Sequence, residues 1–142
     1  MRLMGVDFGE ARVGLALSDE TGALASPLTT IARRRGKRPP LLKIEEAARQ
    51  HGVEALVVGL PLELTGEDST WSLEVRKVAG ELSARLKLPV YLVDERMSSV
   101  RAERAIRHSG LPKGKRENRG RVDSAAAAII LQDWIDRRRR DP

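Results

Sequence analysis

Apolar residues come in short runs near the start of the chain and at helical spacing further on. Residues 2–7 (RLMGVD) and 12–18 (RVGLALS) are compact apolar runs joined by FGEA, which predicts an antiparallel hairpin. Residues 23–31 (ALASPLTTI) supply a third strand, and Pro27 confines it to an edge or a strand start. Pro39-Pro40 leads into helical spacing at Leu41, Ile44, Ala48 and His51, which Gly52 stops. Residues 54–59 (EALVVG) read as a buried strand. After a loop at 60–70, Val75, Val78, Ala79, Leu82 and Leu86 mark a second helix, ended by Leu88-Pro89. Residues 90–93 (VYLV) form another buried strand, running into Asp94-Glu95-Arg96. A helix over 99–109 follows, N-capped by Ser98. Then come a mobile basic loop at 110–121 and a last helix over 123–138, with Ala126, Ile129, Ile130 and Trp134 inward.

The strand–helix–strand–helix–strand stretch implies parallel pairing with right-handed crossovers, and the opening hairpins imply an antiparallel part. The expected class is α/β, a mixed five-stranded sheet with helices on both faces. No repeat or interior boundary interrupts it, so residues 1–138 read as one domain and 139–142 as a basic tail end.

Composition narrows the chemistry. With no cysteine among 142 residues, a disulfide scaffold, a cysteine zinc site and a thiol nucleophile are excluded. His51 and His108 are too few for a histidine-rich metal centre, so any metal must use carboxylates, and oxygen ligands favour Mg²⁺ or Mn²⁺. No run of apolar residues is long enough to span a membrane, and the start MRLMGVDFGE lacks the apolar core of a signal peptide. The expected location is the cytoplasm.

The formal net charge is +6, but it is unevenly spread. Segments 33–38, 96–121 and 137–140 together carry +16, leaving the rest of the chain at −10. Such segments suit a polyanionic partner, although charge runs are also common as plain solvated faces. The four aromatic residues are too few for base stacking to be the main grip.

Three motifs carry candidate chemistry. Asp7 ends the first apolar strand in Gly5-Val6-Asp7-Phe8-Gly9, ahead of Arg12 and Gly14, where small residues leave room for a ligand or a metal. The alternative is a turn aspartate capping the hairpin. In Val93-Asp94-Glu95-Arg96, alternation places the two acids on opposite faces, so that one could hold metal while the other pairs with arginine. The alternative is an acid pair favoured by the dipole of a following helix. Asp123 opens the last helix in Arg121-Val122-Asp123-Ser124, where it could equally be an N-cap. A fourth piece, Val57-Val58-Gly59-Leu60-Pro61 with Gly66, has no catalytic group and reads as a fixed turn that shapes the floor of the site.

Taken in order, GVDFGEARVGLALSD, VVGLP, VDERMSS and VDSAAAAIILQ resemble the RuvX/YqgF family over most of the chain. The resemblance implies an RNase H-like fold and a metal-dependent nuclease, acting in Holliday junction resolution or in 5′-end processing of pre-16S rRNA. It places the family's acids on Asp7, Glu95 and Asp123 as catalytic and metal-binding residues, with Asp94 in the same DER motif. Met97-Ser98-Ser99 stands where the family often has leucine and threonines. The fourth strand ends in Gly59-Leu60-Pro61 where many RNase H-like nucleases carry a metal-binding acid, so the carboxylate has to come from the fifth strand. The partner implied is branched DNA or precursor rRNA, with no membrane and with a homodimer among the assemblies the family shows.

Three carboxylates from three elements suit Mg²⁺ or Mn²⁺, which can activate water for in-line attack on a phosphodiester. Arg12, Arg96, Lys113, Lys115, Arg116, Arg119 and Arg121 are the expected contacts to backbone phosphates. Two competing readings remain: a binding module of the same fold with little cleavage, and a single phosphate-binding lobe of an ATPase, for which the chain lacks the second lobe.

Overall fold

The computed structural model describes residues 1–9, 11–34, 38–97 and 119–140, with residue 97 and residues 119–123 described in backbone only. Five strands and three helices follow one another along these segments. They are β1 (Leu3–Phe8), β2 (Arg12–Ser18), β3 (Ala25–Ala32), α1 (Leu41–Gln50), β4 (Ala55–Leu60), α2 (Thr70–Leu86), β5 (Val90–Asp94) and α3 (Arg119–Arg140). A single 3₁₀ turn, Glu95–Met97, continues directly from β5.

The sheet order is β3-β2-β1-β4-β5. Pairing of β1 with β2 and of β2 with β3 is antiparallel, while β1 with β4 and β4 with β5 are parallel. The expected mixed sheet is therefore present, and Pro27 lies on the edge strand β3. There it pairs with Ala16 beside a register shift, where the missing N–H costs the ladder least.

Alternation divides the strand residues between two cores. Met4, Val6, Val13, Leu15, Leu56 and Val58 face one side and pack with Ile44 and Ala48 of α1 and Val75 and Leu82 of α2. Leu3, Ala16, Ala55, Val57 and Val93 face the other and pack under α3 through Ala126, Ala127, Ile130 and Leu131. Every residue of β1 and β4 is buried, as expected of central strands covered on both faces. α2 starts at a capping box in which the Ser69 and Ser72 hydroxyls accept from each other's backbone N–H at 3.0 and 2.7 Å. It ends at Lys87, which is in the left-handed conformation.

Two expectations are corrected at the C-terminal end. The last helix begins at Arg119, so Asp123 is its fifth residue and not its N-cap, and residues 119–121 are helical where a loop was expected. The helix also continues to Arg140, past its expected end at 138. Arginine is a good helix former, and the cost of about 1 kcal/mol for Gly120 is small beside the packing of the alanine run that follows it. The helix expected over 99–109 with its Ser98 cap, and the basic positions Lys113, Lys115 and Arg116, lie outside the described residues.

Candidate active site

Asp7 is the fifth residue of β1 and is only 2 % exposed. Leu3, Gly5 and Asp7 alternate onto the α3 side of the sheet, and Leu3 is in the core beneath that helix. The Asp7 carboxylate oxygen Oδ1 is sealed from solvent. Its neighbours are small: Gly14 is its antiparallel partner on β2, and the parallel register of β1 with β4 runs on from Val6↔Val58 towards Gly59.

Gly59 explains how a second acid reaches the same place. It pairs with Val93 on β5, two residues before Glu95. A β-carbon built on Gly59 would lie 2.8 Å from Glu95 Oε1 and 2.7 Å from Ile130 Cδ1. The Glu95 carboxylate thus rests against bare β4 backbone on the α3 side, and the residue is 5 % exposed. Where a fixed turn was expected, Val57 to Leu60 continue β4, and Gly59 is bare so that the carboxylate can take the space a side chain there would fill. Two buried acids, Asp7 and Glu95, consequently face the same side of one sheet edge, flanking β4.

Asp94 points the other way. Its carboxylate takes a forked contact from Arg96, with Nη2 to Oδ2 at 2.7 Å and Nε to Oδ1 at 3.1 Å, and accepts the Arg96 backbone N–H at 2.9 Å. Arg96 also donates to the Leu64 carbonyl at 3.2 Å, which fastens the loop between β4 and α2. The Asp94 carboxylate raises the Arg96 pKa above its ordinary value, so the guanidinium stays charged. The division expected from alternation is present: one acid buried at the site, the other paired with arginine.

The backbone of α3 carries residue 123 towards the same edge. A β-carbon on Gly5 would meet the Ala127 carbonyl oxygen at 2.8 Å and Leu131 Cβ at 2.9 Å. Ile135, further along, packs in the cluster that holds Leu3. The helix therefore runs antiparallel to β1, and its N-terminal end is at the Asp7 end of the strand. Two strand residues advance about 6.6 Å and four helical residues about 6 Å, so residue 123, one turn before Ala127, comes level with Asp7. Its side chain, with those of Arg119 and Arg121, lies outside the described residues.

One residue whose importance the sequence did not signal braces the site. Arg33, from the first basic segment, has a side chain only 5 % exposed. Its guanidinium donates to the Gly9 carbonyl at 3.1 Å, pairs with Glu74 of α2 at 3.2 Å and lies 4.5 Å from the centre of the Trp71 ring. Its backbone N–H donates to the Ala11 carbonyl at 2.8 Å. The turn that follows Asp7 is thereby tied to α2. Arg12 is half-buried at the start of β2 on the same sheet edge.

A family model described as RuvX, Holliday junction resolvase, matches residues 1–137. The chain belongs to the RuvX family. A relative from Anaeromyxobacter dehalogenans (strain 2CP-C) is 46 % identical over 138 residues, covering 97 % of this chain and 98 % of the relative; its name gives it as a proposed pre-16S rRNA nuclease. One from Chloroflexus aurantiacus (strain ATCC 29366 / DSM 635 / J-10-fl), with the same name, is 40 % identical over 140 residues, covering 99 % and 90 %. Among solved structures, Thermus thermophilus RuvC in complex with a Holliday junction substrate superposes with a TM-score of 0.58 at 15 % identity, covering 98 % of this chain and 96 % of RuvC. RuvC from the same organism, in a second structure, gives 0.55 at 14 % identity with the same coverage. This RuvX chain therefore has the RNase H-like fold expected of it.

The donor set of the RuvX site suits a divalent cation. Asp7 and Glu95 offer hard oxygen donors from two elements, and burying both acids near one another without a cation is unfavourable. No group of three or more acidic or histidine side chains that could hold a metal occurs among the described residues.

Proposed function

We propose that this protein is a divalent-metal-dependent endonuclease that hydrolyses phosphodiester bonds in structured nucleic acid, with Asp7, Glu95 and Asp123 as its carboxylates. The burial of Asp7 and Glu95 on one side of the sheet edge, in a chain of the RuvX family, carries this reading. Mg²⁺ or Mn²⁺ held there would supply an activated water and charge stabilisation for the leaving oxygen. Asp7 and Glu95 would hold and orient the ion from β1 and from the turn after β5. Gly59 leaves Glu95 its place, and Arg33 keeps the Gly9 turn set beside Asp7. The basic positions Arg12, Arg96, Lys113, Lys115, Arg116, Arg119 and Arg121 would grip phosphates without reading sequence, which suits recognition by shape. Arg96 then serves from a fixed position, because Asp94 orients it. The relatives' name supports precursor 16S rRNA as the substrate, and the family model's description supports a Holliday junction.

A side-by-side assay tests this: a four-way DNA junction and a precursor 16S leader, each with Mg²⁺ or Mn²⁺. Cleavage of at least one is expected, and Asp7→Asn should lower it by a factor of about 10² or more while leaving binding intact, since the change removes charge at nearly constant volume. Full turnover by Asp7→Asn at saturating metal would overturn the assignment. Binding of both probes with cleavage of neither would favour the non-cleaving module.

A further inference from the structure

The first basic segment is put to two uses by the fold. Arg33 turns inward, as described, while Arg34 and Arg38 remain exposed. With Lys43 from the first turn of α1, these residues line an open groove of about 410 Å³. The other lining residues are Ala32, Arg33 and Pro40, so among the described residues four cations and no carboxylate face it. Glu74 and Glu81 hold Arg33 and Arg38 from outside the lining, at 3.2 and 2.8 Å. The Arg38 side chain is still 76 % exposed, and a guanidinium has donors left over for a second acceptor. Among the described residues no acid pairs with Arg34 or Lys43. The first turn of α1 contains no acidic residue, so the positive end of that helix adds to the same field.

The groove's position matters as much as its charge. Ala32 pairs with Arg12, and Gly14, two residues further along β2, pairs with Asp7. The groove therefore opens at the same end of the sheet as the two buried acids, two strands away and beside α1 and α2, whereas the acids face α3. Strand spacing and rise put Ala32 roughly 12 Å from Asp7. Duplex nucleic acid carries one phosphate charge per about 1.7 Å of axis, so one substrate would present several phosphates across that span.

We propose that this groove is a second phosphate-binding site, in which Arg34, Arg38 and Lys43 hold the sugar-phosphate backbone of the substrate away from the bond that is cleaved. The proposal rests on the nucleic-acid reading above. It divides the substrate's hold on the protein into two parts, a reacting part at Asp7 and Glu95 and an anchoring part beyond β3. The shared ligand chemistry is the phosphodiester backbone, of DNA or of RNA.

The test is binding without cleavage. Wild type, Arg34→Gln/Lys43→Gln and Arg34→Gln/Arg38→Gln/Lys43→Gln are titrated, without divalent metal, against a labelled four-way DNA junction and a labelled precursor 16S leader between 50 and 200 mM KCl. The double variant leaves the Arg38–Glu81 pair untouched, so it keeps the test valid if the triple variant is poorly folded. The plot of log affinity against log salt should flatten by about 2 for the double and about 3 for the triple variant on duplex contacts. Flattening with one probe alone would support the groove and identify which nucleic acid it holds. An unchanged slope in both folded variants, where wild type binds, would overturn the groove and leave the nuclease reading standing. Failure of wild type to bind either probe would overturn both.

Discussion

At the scale of single residues the site depends on what position 59 lacks. Gly59→Ala would put a β-carbon within 3 Å of both Glu95 Oε1 and Ile130 Cδ1. Overpacking of this kind costs about 1–3 kcal/mol, and here the yielding neighbour is a proposed metal-binding carboxylate. Urea unfolding should show a loss in that range, with cleavage falling further than stability alone explains. Gly80→Ala is the control: nothing lies within 4 Å of its β-carbon, and the helix should gain about 0.5–1 kcal/mol. A Gly59→Ala protein as stable and active as wild type would remove the contact from the account. Asp7 was a candidate in the sequence because an acid ending an apolar strand is costly without compensation, though a turn cap fitted equally well; alternation separated Asp94 from Glu95 without choosing between them, and only the family resemblance chose Glu95. The space that Gly59 leaves for Glu95 could not be read, since it depends on β5 and α3 meeting β4 from different parts of the chain.

At the scale of elements, Arg33 joins the β1–β2 turn to α2. Arg33→Met keeps the apolar stem but removes the donor to Gly9, the pair with Glu74 and the cation over Trp71. The expected cost is about 1–3 kcal/mol by urea unfolding, and cleavage should drop with it because the turn after Asp7 loses its brace. An unchanged unfolding midpoint would show that the turn holds itself. In the sequence Arg33 is one of five cations in RRRGKR and reads as a solvated charge. Its burial is decided by Trp71 and Glu74, about forty positions away. The start of α3 was misplaced for a related reason. Gly120 and its basic neighbours carry a loop signal, while the helix is held by the alanines and Ile130 packed on the sheet. The strands and the first two helices were legible because their apolar periodicity is local.

At the scale of the whole molecule, the metal site proposed at the two buried acids would tie folding to metal. A divalent ion that binds only the folded chain stabilises it by about 1.4 kcal/mol at ten times its dissociation constant, a rise in Tm of roughly 3–6 °C. Mg²⁺ or Mn²⁺ should raise the Tm of wild type, EDTA should reverse the rise, and Asp7→Asn should show little of it. Equal rises in both proteins would place the ion elsewhere. The same fold makes α3 a ruler laid along β1. The helix touches the strand backbone at Gly5, so its axial setting is locked there. Residues before Ala127 are then indexed to the acids, and one inserted residue would swing position 123 by about 100° around the axis. Residues beyond Ile135 have no such duty. With Asp123 as the proposed third carboxylate, a change of chain length before Ala127 would therefore cost the site far more than one after Ile135.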